Sequence, residues 1–170
     1  MIVTQPRRIA AITLARRVAS LRGQDTGDDV GYRVGQGDHQ DSHESLVTFV
    51  TVGYLLQYFS HNPDMVQNYT HIVLDEVHER SMDTDLLNLL IKKLLDGDQN
   101  HCKLVVMSAT LQADLFSQYF TPKYSPVNDP IFVGVRRFPV RSVFLEVTSA
   151  TTRISATSSL PWAYQPPISF

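Results

Sequence analysis

The sequence has one cysteine, Cys102, among its 170 residues. A single cysteine cannot form a disulfide within the chain, and it cannot build a thiolate zinc site by itself. Sparse cysteine is typical of proteins from a reducing intracellular compartment, so we expect either a cytoplasmic or a nuclear protein. We interpret Cys102 as an ordinary small apolar residue.

Long apolar runs are also missing from the sequence. None of them approaches the ~20 residues that a membrane-spanning helix needs. The first residues lack the charged start, apolar stretch and small-residue cleavage site of a signal peptide. The sequence therefore predicts neither a membrane partner nor secretion.

A strong net charge is absent, because 15 Lys and Arg stand against 17 Asp and Glu. A net charge of -2 excludes a polycation that would hold nucleic acid by charge alone. Acidic residues are, however, missing from residues 1–22, which carry the five arginines Arg7, Arg8, Arg16, Arg17 and Arg22. A basic face near the N-terminus is the consequence. With 43% hydrophobic residues the chain has enough apolar material for a globular core.

Four short runs rich in Val and Ile show no polar alternation, which predicts parallel strands buried on both faces. They cover residues 1–3, 46–50, 72–74 and 104–107. Apolar residues at helical spacing follow Pro6 and recur between residues 83 and 97. Strands that alternate with helices favour an α/β fold, a three-layer parallel sheet flanked by helices.

Open parallel sheets bind ligands beyond the carboxyl ends of their strands. The polar residues directly after the four runs are therefore the candidate site, and they occupy positions 4–8, 51–53, 75–80 and 108–110. Among them, Asp75 and Glu76 present two adjacent carboxylates after an apolar strand. Hydrolysis of a magnesium-bound nucleotide needs one carboxylate for the metal and its waters, and one to activate the attacking water. For an Asp-Glu pair taken alone, a strand that ends in a solvated acidic turn is the commoner explanation.

The continuation of this pair carries a family resemblance. Asp75-Glu76-Val77-His78-Glu79-Arg80-Ser81, with Ser108-Ala109-Thr110-Leu111 about 30 residues later, resembles the two ATPase motifs of DExH-box helicases. Further segments resemble motifs of the DEAH and RNA helicase A group, in the order of that family. They are Thr4-Gln5-Pro6-Arg7-Arg8-Ile9-Ala10-Ala11, Val30-Gly31-Tyr32, Thr51-Val52-Gly53-Tyr54-Leu55-Leu56 and Phe138-Pro139-Val140.

The resemblance implies a superfamily 2 RNA helicase that uses ATP and Mg²⁺, with this chain supplying most of the first RecA-like domain of the P-loop NTPase type. It implies that Asp75 and Glu76 are the catalytic and metal residues, Asp75 on Mg²⁺ through water and Glu76 on the attacking water. It also implies that RNA is bound through its sugar-phosphate backbone, whatever its sequence. The matching RNA-contacting positions are Arg7, Arg8, Thr51 and Gly53.

Coupling between nucleotide and RNA is implied for His78 together with Ser108, Ala109 and Thr110. A purely structural explanation stays open for the two arginines and for His78. Arg7 and Arg8 could be a solvated helix start, and His78 could be a satisfied histidine in a turn. His39 and His43, four residues apart beside acidic residues, are interpreted as part of a solvated loop rather than as a metal site.

The 170 residues depart from the family pattern in one respect that bears on activity. They contain no glycine-rich loop ending in Gly-Lys-Thr or Gly-Lys-Ser, the phosphate cradle of this family, and no second motor domain. We therefore expect a fragment, such as a truncated product, a splice form or an incomplete gene model, that is inactive in isolation. The expected division is a partial motor domain incomplete at its N-terminus over residues 1–141, a joint over 142–147 and a disordered Ser/Thr/Pro-rich tail over 148–170.

Two other functions stay open at this point. One is a catalytically inactive module that retains an RNA-binding or partner-binding surface. The other is a related ATPase that moves on DNA.

Overall fold

The computed structural model describes residues 1–42, 45–96, 101–109, 113–121, 127 and 129–134. The chain divides into two compact units, Met1–Ile131 and Phe132–Phe170. The first unit contains every helix and strand described below. The segment 138–140, the predicted joint at 142–147 and the predicted tail at 148–170 lie outside the described residues.

The first unit is built on a six-stranded sheet with the strand order β3-β2-β4-β1-β5-β6. Its strands are β1 (Ile2–Gln5), β2 (Val30–Arg33), β3 (His39–Gln40), β4 (Val47–Thr51), β5 (His71–Leu74) and β6 (Lys103–Val106). All neighbours pair in parallel except β2 and β3, which are antiparallel. This arrangement confirms the predicted α/β fold and the four predicted strands.

Helices cover both faces of the sheet. They are α1 (Arg8–Leu21), α2 (Val52–His61), α3 (Met82–Leu95) and α4 (Ala113–Phe120), with 3-10 turns at Pro63–Asn68 and Val77–Glu79. Alternate residues of each central strand enter opposite cores, as Ile2 and Val3 do. One core contains α1, which packs through its buried Ala11, Ala15 and Ala19. The other contains α2, α3 and Phe116 of α4, so the three-layer prediction is confirmed.

Local sequence explains where α3 begins and ends. Ser81 caps its N-terminus, because the Ser81 hydroxyl accepts a hydrogen bond of 3.1 Å from the Thr84 backbone N–H. Asp83 lies in the first turn, while Lys92 and Lys93 lie in the last turn, and both charges complement the helix dipole.

Three details differ from the sequence prediction. β6 is not buried on both faces, since Val105 is 41% exposed and the strand lies at one end of the described sheet, with β5 as its neighbour. His39 is not in a loop, because it pairs with Arg33 as part of the short strand β3, although its side chain is exposed. His43 lies outside the described residues. Helix α2 was not predicted at all.

None of the helices in the described part of the chain is long and apolar enough to cross a membrane.

Candidate nucleotide and RNA site

The predicted site residues meet at one edge of the sheet, where β1, β4, β5 and β6 end. Register explains the meeting, because Gln5 of β1 lies opposite Thr51 of β4, and Thr4 lies opposite Leu74, the residue before Asp75. β6 pairs Val106 with Leu74, which brings Ser108 and Ala109 to the same edge. We refer to this edge as the loop edge. Thr110 lies outside the described residues.

Asp75 is held from two sides at the loop edge. Its Oδ1 accepts the backbone N–H of Glu76 at 2.8 Å, and its Oδ2 accepts the side-chain amide of Gln5 at 2.6 Å. Its own backbone N–H donates to the Thr4 hydroxyl at 3.3 Å. A carboxylate has about four lone-pair sites, so each oxygen keeps acceptor capacity for a cation or its waters.

Glu76 has an unusual backbone conformation for its residue type. Its φ of 54° and ψ of 35° lie in the left-handed region, and Arg80 at the far end of the same turn has a φ of 47°. Such conformations cost free energy of the order of 1 kcal/mol or more and concentrate at functional sites. The Glu76 side chain in this turn is 41% exposed.

His78 contacts both the acidic turn and the segment after β6. Its Nδ1 lies 3.2 Å from Glu76 Oε2 and accepts the backbone N–H of Ala109 at 3.4 Å. The Ala109 bond needs an unprotonated Nδ1, whereas a bond to Glu76 needs a proton on that atom, so the two contacts exclude each other. The Val77 N–H also donates to the Met107 carbonyl at 3.3 Å. The structure therefore joins His78 to the segment that contains Ser108 and Ala109.

Three of the predicted RNA-contacting residues line one open groove of about 390 Å³. They are Arg8, Thr51 and Gly53, and Pro6, Gln36 and Gln57 also line the groove. Arg8 donates to Gln36 Oε1 at 2.9 Å and lies 3.4 Å from Asp38 Oδ2.

Arg7 lies outside the residues that line the groove. Its side chain is 77% exposed, and its guanidinium forms an ion pair of 3.3 Å with Glu79, within the turn that follows Asp75 and Glu76. Arg7 therefore contacts the acidic turn and leaves most of its side chain in solvent.

The residues at the loop edge suit a magnesium ion that is shared with a phosphate ligand. The described residues contain no group of three or more His, Cys, Asp or Glu side chains placed to hold a metal ion by themselves. Mg²⁺ usually keeps several waters and takes one or two carboxylates together with substrate phosphates, rather than a cage of protein ligands. Asp75, with acceptor capacity left on each oxygen, fits that mode.

Comparison with known proteins identifies the relatives of this chain, although no family model matches it. It is 44% identical over 138 residues to the probable ATP-dependent RNA helicase spindle-E of Culex quinquefasciatus, covering 81% of this chain and 10% of that protein. It is 36% identical over 166 residues to the DExH-box ATP-dependent RNA helicase DExH1 of Arabidopsis thaliana, covering 97% of this chain and 16% of that protein. Its homologues are DExH-box ATP-dependent RNA helicases.

Solved DExH-box structures agree with this homology. The crystal structure of the E. coli DExH-box NTPase HrpB matches 69% of this chain at 35% identity with a TM-score of 0.63, and the match covers 14% of that protein. The fold is thus the RecA-like fold of a helicase domain, present in part. The chain spans between 8% and 19% of the length of the curated DExH-box relatives it matches.

Sequence reasoning missed the contacts that tie the DExH-box turn to the end of β1. Gln5 and Thr4 were recognised only as members of a segment at the loop edge, and Glu79 as part of a motif. The structure shows that Gln5 and Thr4 hold Asp75 and that Glu79 pairs with Arg7. No periodicity signals these contacts, because the partners are 70 or more residues apart in the sequence.

Proposed function

We propose that the chain is part of the first motor domain of an ATP-dependent RNA helicase, in which Mg-ATP hydrolysis is coupled to movement on RNA. One observation carries the proposal. The two adjacent carboxylates after β5 and the groove lined by Arg8, Thr51 and Gly53 share one loop edge, and Arg7 pairs across it with Glu79.

In the nucleotide half of the site, Asp75 would hold Mg²⁺ directly or through its waters. A bound Mg²⁺ would neutralise charge on the β- and γ-phosphates as the terminal phosphate is displaced. Glu76 would orient the attacking water and accept its proton, since its carboxylate is exposed at the edge next to Asp75. The left-handed backbone of Glu76 would fix the direction in which its side chain leaves the main chain before the substrate arrives.

In the RNA half, Arg7 and Arg8 would pair with phosphates, since the guanidinium presents forked donors that match phosphate oxygens. Gly53 would let a phosphate approach the first turn of α2. Apart from the adjacent residues and the backbone of α2 itself, the nearest atom to a Cβ built on Gly53 is Asp83 Oδ2, at 3.4 Å, so a phosphate would approach beside the acidic Asp83 side chain, which also lines the groove. Contacts of this kind read the sugar-phosphate backbone and not the base sequence.

His78 would couple the two halves. Its Nδ1 can serve Ala109 or Glu76 but not both, so a change at Glu76 during hydrolysis would alter the link to the segment after β6. Thr110, the remaining predicted coupling residue, stays a prediction from the sequence.

The proposal assigns low activity to the 170 residues by themselves. They contain no Gly-Lys-Thr or Gly-Lys-Ser loop to surround the phosphates with N–H groups and to place a lysine between them. The appropriate protein for catalysis is therefore an extended version of the chain, joined upstream to a phosphate-binding loop and downstream to a second motor domain. We refer to it below as the extended protein.

The experiment compares Mg-ATP hydrolysis by the extended protein and by its Glu76→Gln variant. We expect Glu76→Gln to bind ATP normally and to lose about 10²–10⁴-fold in kcat, since the general base is removed while the size of the side chain is kept. The matched control is Asp96→Asn, which removes an exposed carboxylate at the far end of α3 and should leave hydrolysis unchanged.

Near-normal turnover of Glu76→Gln would remove Glu76 from the water-activating role. RNA binding without any hydrolysis by the unsubstituted extended protein would instead favour an inactive RNA-binding module. Measuring the 170-residue chain in parallel tests its expected inactivity.

A further inference from the structure

We propose that Gln5 is a positioning residue for Asp75, which it holds in the orientation needed to meet Mg²⁺. This inference rests on the proposed function, since it concerns the same metal-directed carboxylate. Its starting point is a buried amide with a short contact. The Gln5 residue is 3% exposed, and its Nε2 lies 2.6 Å from Asp75 Oδ2.

The orientation of the Gln5 amide follows from its partner. An ionised carboxylate has only acceptors, so the amide must direct its nitrogen and not its oxygen toward Asp75. A hydrogen bond to an ionised group is shorter and about twice as strong as a bond between neutral groups. Leaving a buried donor without its partner costs free energy. This cost keeps the Gln5 side chain and the Asp75 carboxylate together.

The remaining contacts of Asp75 complete a support from β1 and from the turn itself. Thr4, 1% exposed, accepts the Asp75 backbone N–H, and the Glu76 N–H donates to the oxygen that Gln5 does not hold. Two consecutive buried residues of β1 thus fix the backbone and the carboxylate of the residue that follows the neighbouring strand β5. The carboxylate plane is set before any cation is present.

The residue type at position 5 is restricted by this arrangement. A hydrocarbon side chain would leave Asp75 Oδ2 without its donor, and a carboxylate would add a second negative charge within 3 Å of the first. A neutral donor of glutamine length satisfies the oxygen and leaves the charge of Asp75 available to the cation. Residues that orient metal ligands in this way typically contribute 10–100-fold to metal affinity or activity.

The test measures the Mg²⁺ concentration that half-saturates the extended protein at fixed nucleotide, both from ATP hydrolysis and from binding of a fluorescent non-hydrolysable ATP analogue. We expect Gln5→Met, which has a similar length but no donor, to raise this concentration about tenfold or more.

The matched control is Gln24→Met. Gln24 also donates to a carboxylate, Asp29 Oδ2 at 2.9 Å, and that bond helps to lower the pKa of Asp29. Asp29 precedes β2, so the control removes the same kind of bond at the opposite edge of the sheet.

A double-variant comparison separates positioning from a merely structural role. If Gln5 acts through Asp75, Gln5→Met should cost no further Mg²⁺ affinity, read from binding of the ATP analogue, once Asp75→Ala is present. An equal additional loss in both backgrounds would overturn the inference. The inference is also overturned if Gln5→Met folds and shows the Mg²⁺ dependence of the Gln24→Met control.

A second variant, Gln5→Asn, keeps an amide at the buried position but is one carbon too short to make the same contact. We expect it to raise the half-maximal Mg²⁺ concentration in the same direction as Gln5→Met. Loss of folding in both variants would assign Gln5 to the core alone and would overturn the inference. If the unsubstituted extended protein does not hydrolyse Mg-ATP, the proposed function fails and this inference fails with it.

Discussion

Among single residues, Arg7 separates a nucleic-acid role from a structural role most clearly. Its side chain is 77% exposed, and its ion pair with Glu79 is on the surface. Exposed ion pairs contribute about 0–1 kcal/mol to stability, so the fold has little need of this side chain. A basic residue that stability does not require, beside a groove lined by polar groups, is available for an anionic partner.

We therefore predict that Arg7→Ala weakens binding of single-stranded RNA of every sequence alike. The slope of log affinity against log salt concentration should fall by about 0.7, the value for one phosphate contact on a single strand. The measurement is a salt titration of RNA binding by the extended protein, with Arg17→Ala, exposed on α1, as the control of equal charge. A loss confined to one RNA sequence would contradict contact with the backbone.

Part of this site could be predicted from the sequence, and part of it could not. Asp75 and Glu76 could be found because a strand end and a motif mark them in the linear sequence. Gln5 could not be assigned a role, because its partner is 70 residues away and the bond depends on the β1–β5 register. The left-handed backbone of Glu76 was equally invisible, since glutamate gives no sign of a positive φ.

At the scale of elements, the first turn of α2 is the part of the groove that a substitution can test without damage to the fold. Gly53 lies there, second in the helix, and only the end of the Asp83 side chain approaches the position of a Cβ. Glycine lowers helix stability by up to about 1 kcal/mol relative to alanine. The element itself therefore gains nothing from glycine at this position.

Gly53→Ala should accordingly leave the free energy of unfolding of the chain unchanged, or raise it by up to about 1 kcal/mol. RNA binding by the extended protein should weaken about fivefold, the equivalent of one lost backbone hydrogen bond of about 1 kcal/mol. Urea unfolding and RNA titration measure the two effects. Unchanged RNA affinity in a variant of normal stability would show that close approach at Gly53 is not required.

Some helices and strands could be predicted from the sequence more readily than others. Helices α1 and α3 follow from apolar spacing, and α3 also has a serine cap and basic residues in its last turn. Helix α2 was missed because its buried residues, Val52, Leu55 and Phe59, lie within a motif that had been considered only as a source of contacts. β6 was predicted as doubly buried because an apolar run does not reveal a position at the end of the sheet.

At the scale of the whole molecule, a parallel sheet gathers segments distant in sequence at one loop edge. The residues proposed for nucleotide chemistry follow β5, and those proposed for RNA follow β1 and β4. The shared edge could be predicted from strand order alone, because parallel strands end on the same side. The contact between the two halves, Arg7 with Glu79, required the structure, as did the contact of His78 with Ala109 in the segment after β6.

The central claim is that this edge links RNA contact to Mg-ATP hydrolysis. Its most direct test is the rate of Mg-ATP hydrolysis, with and without single-stranded RNA, by the extended protein and its His78→Ala variant. We predict that RNA stimulates the unsubstituted protein, and that His78→Ala retains hydrolysis without RNA but loses the stimulation. Equal stimulation of both proteins by RNA would contradict the account.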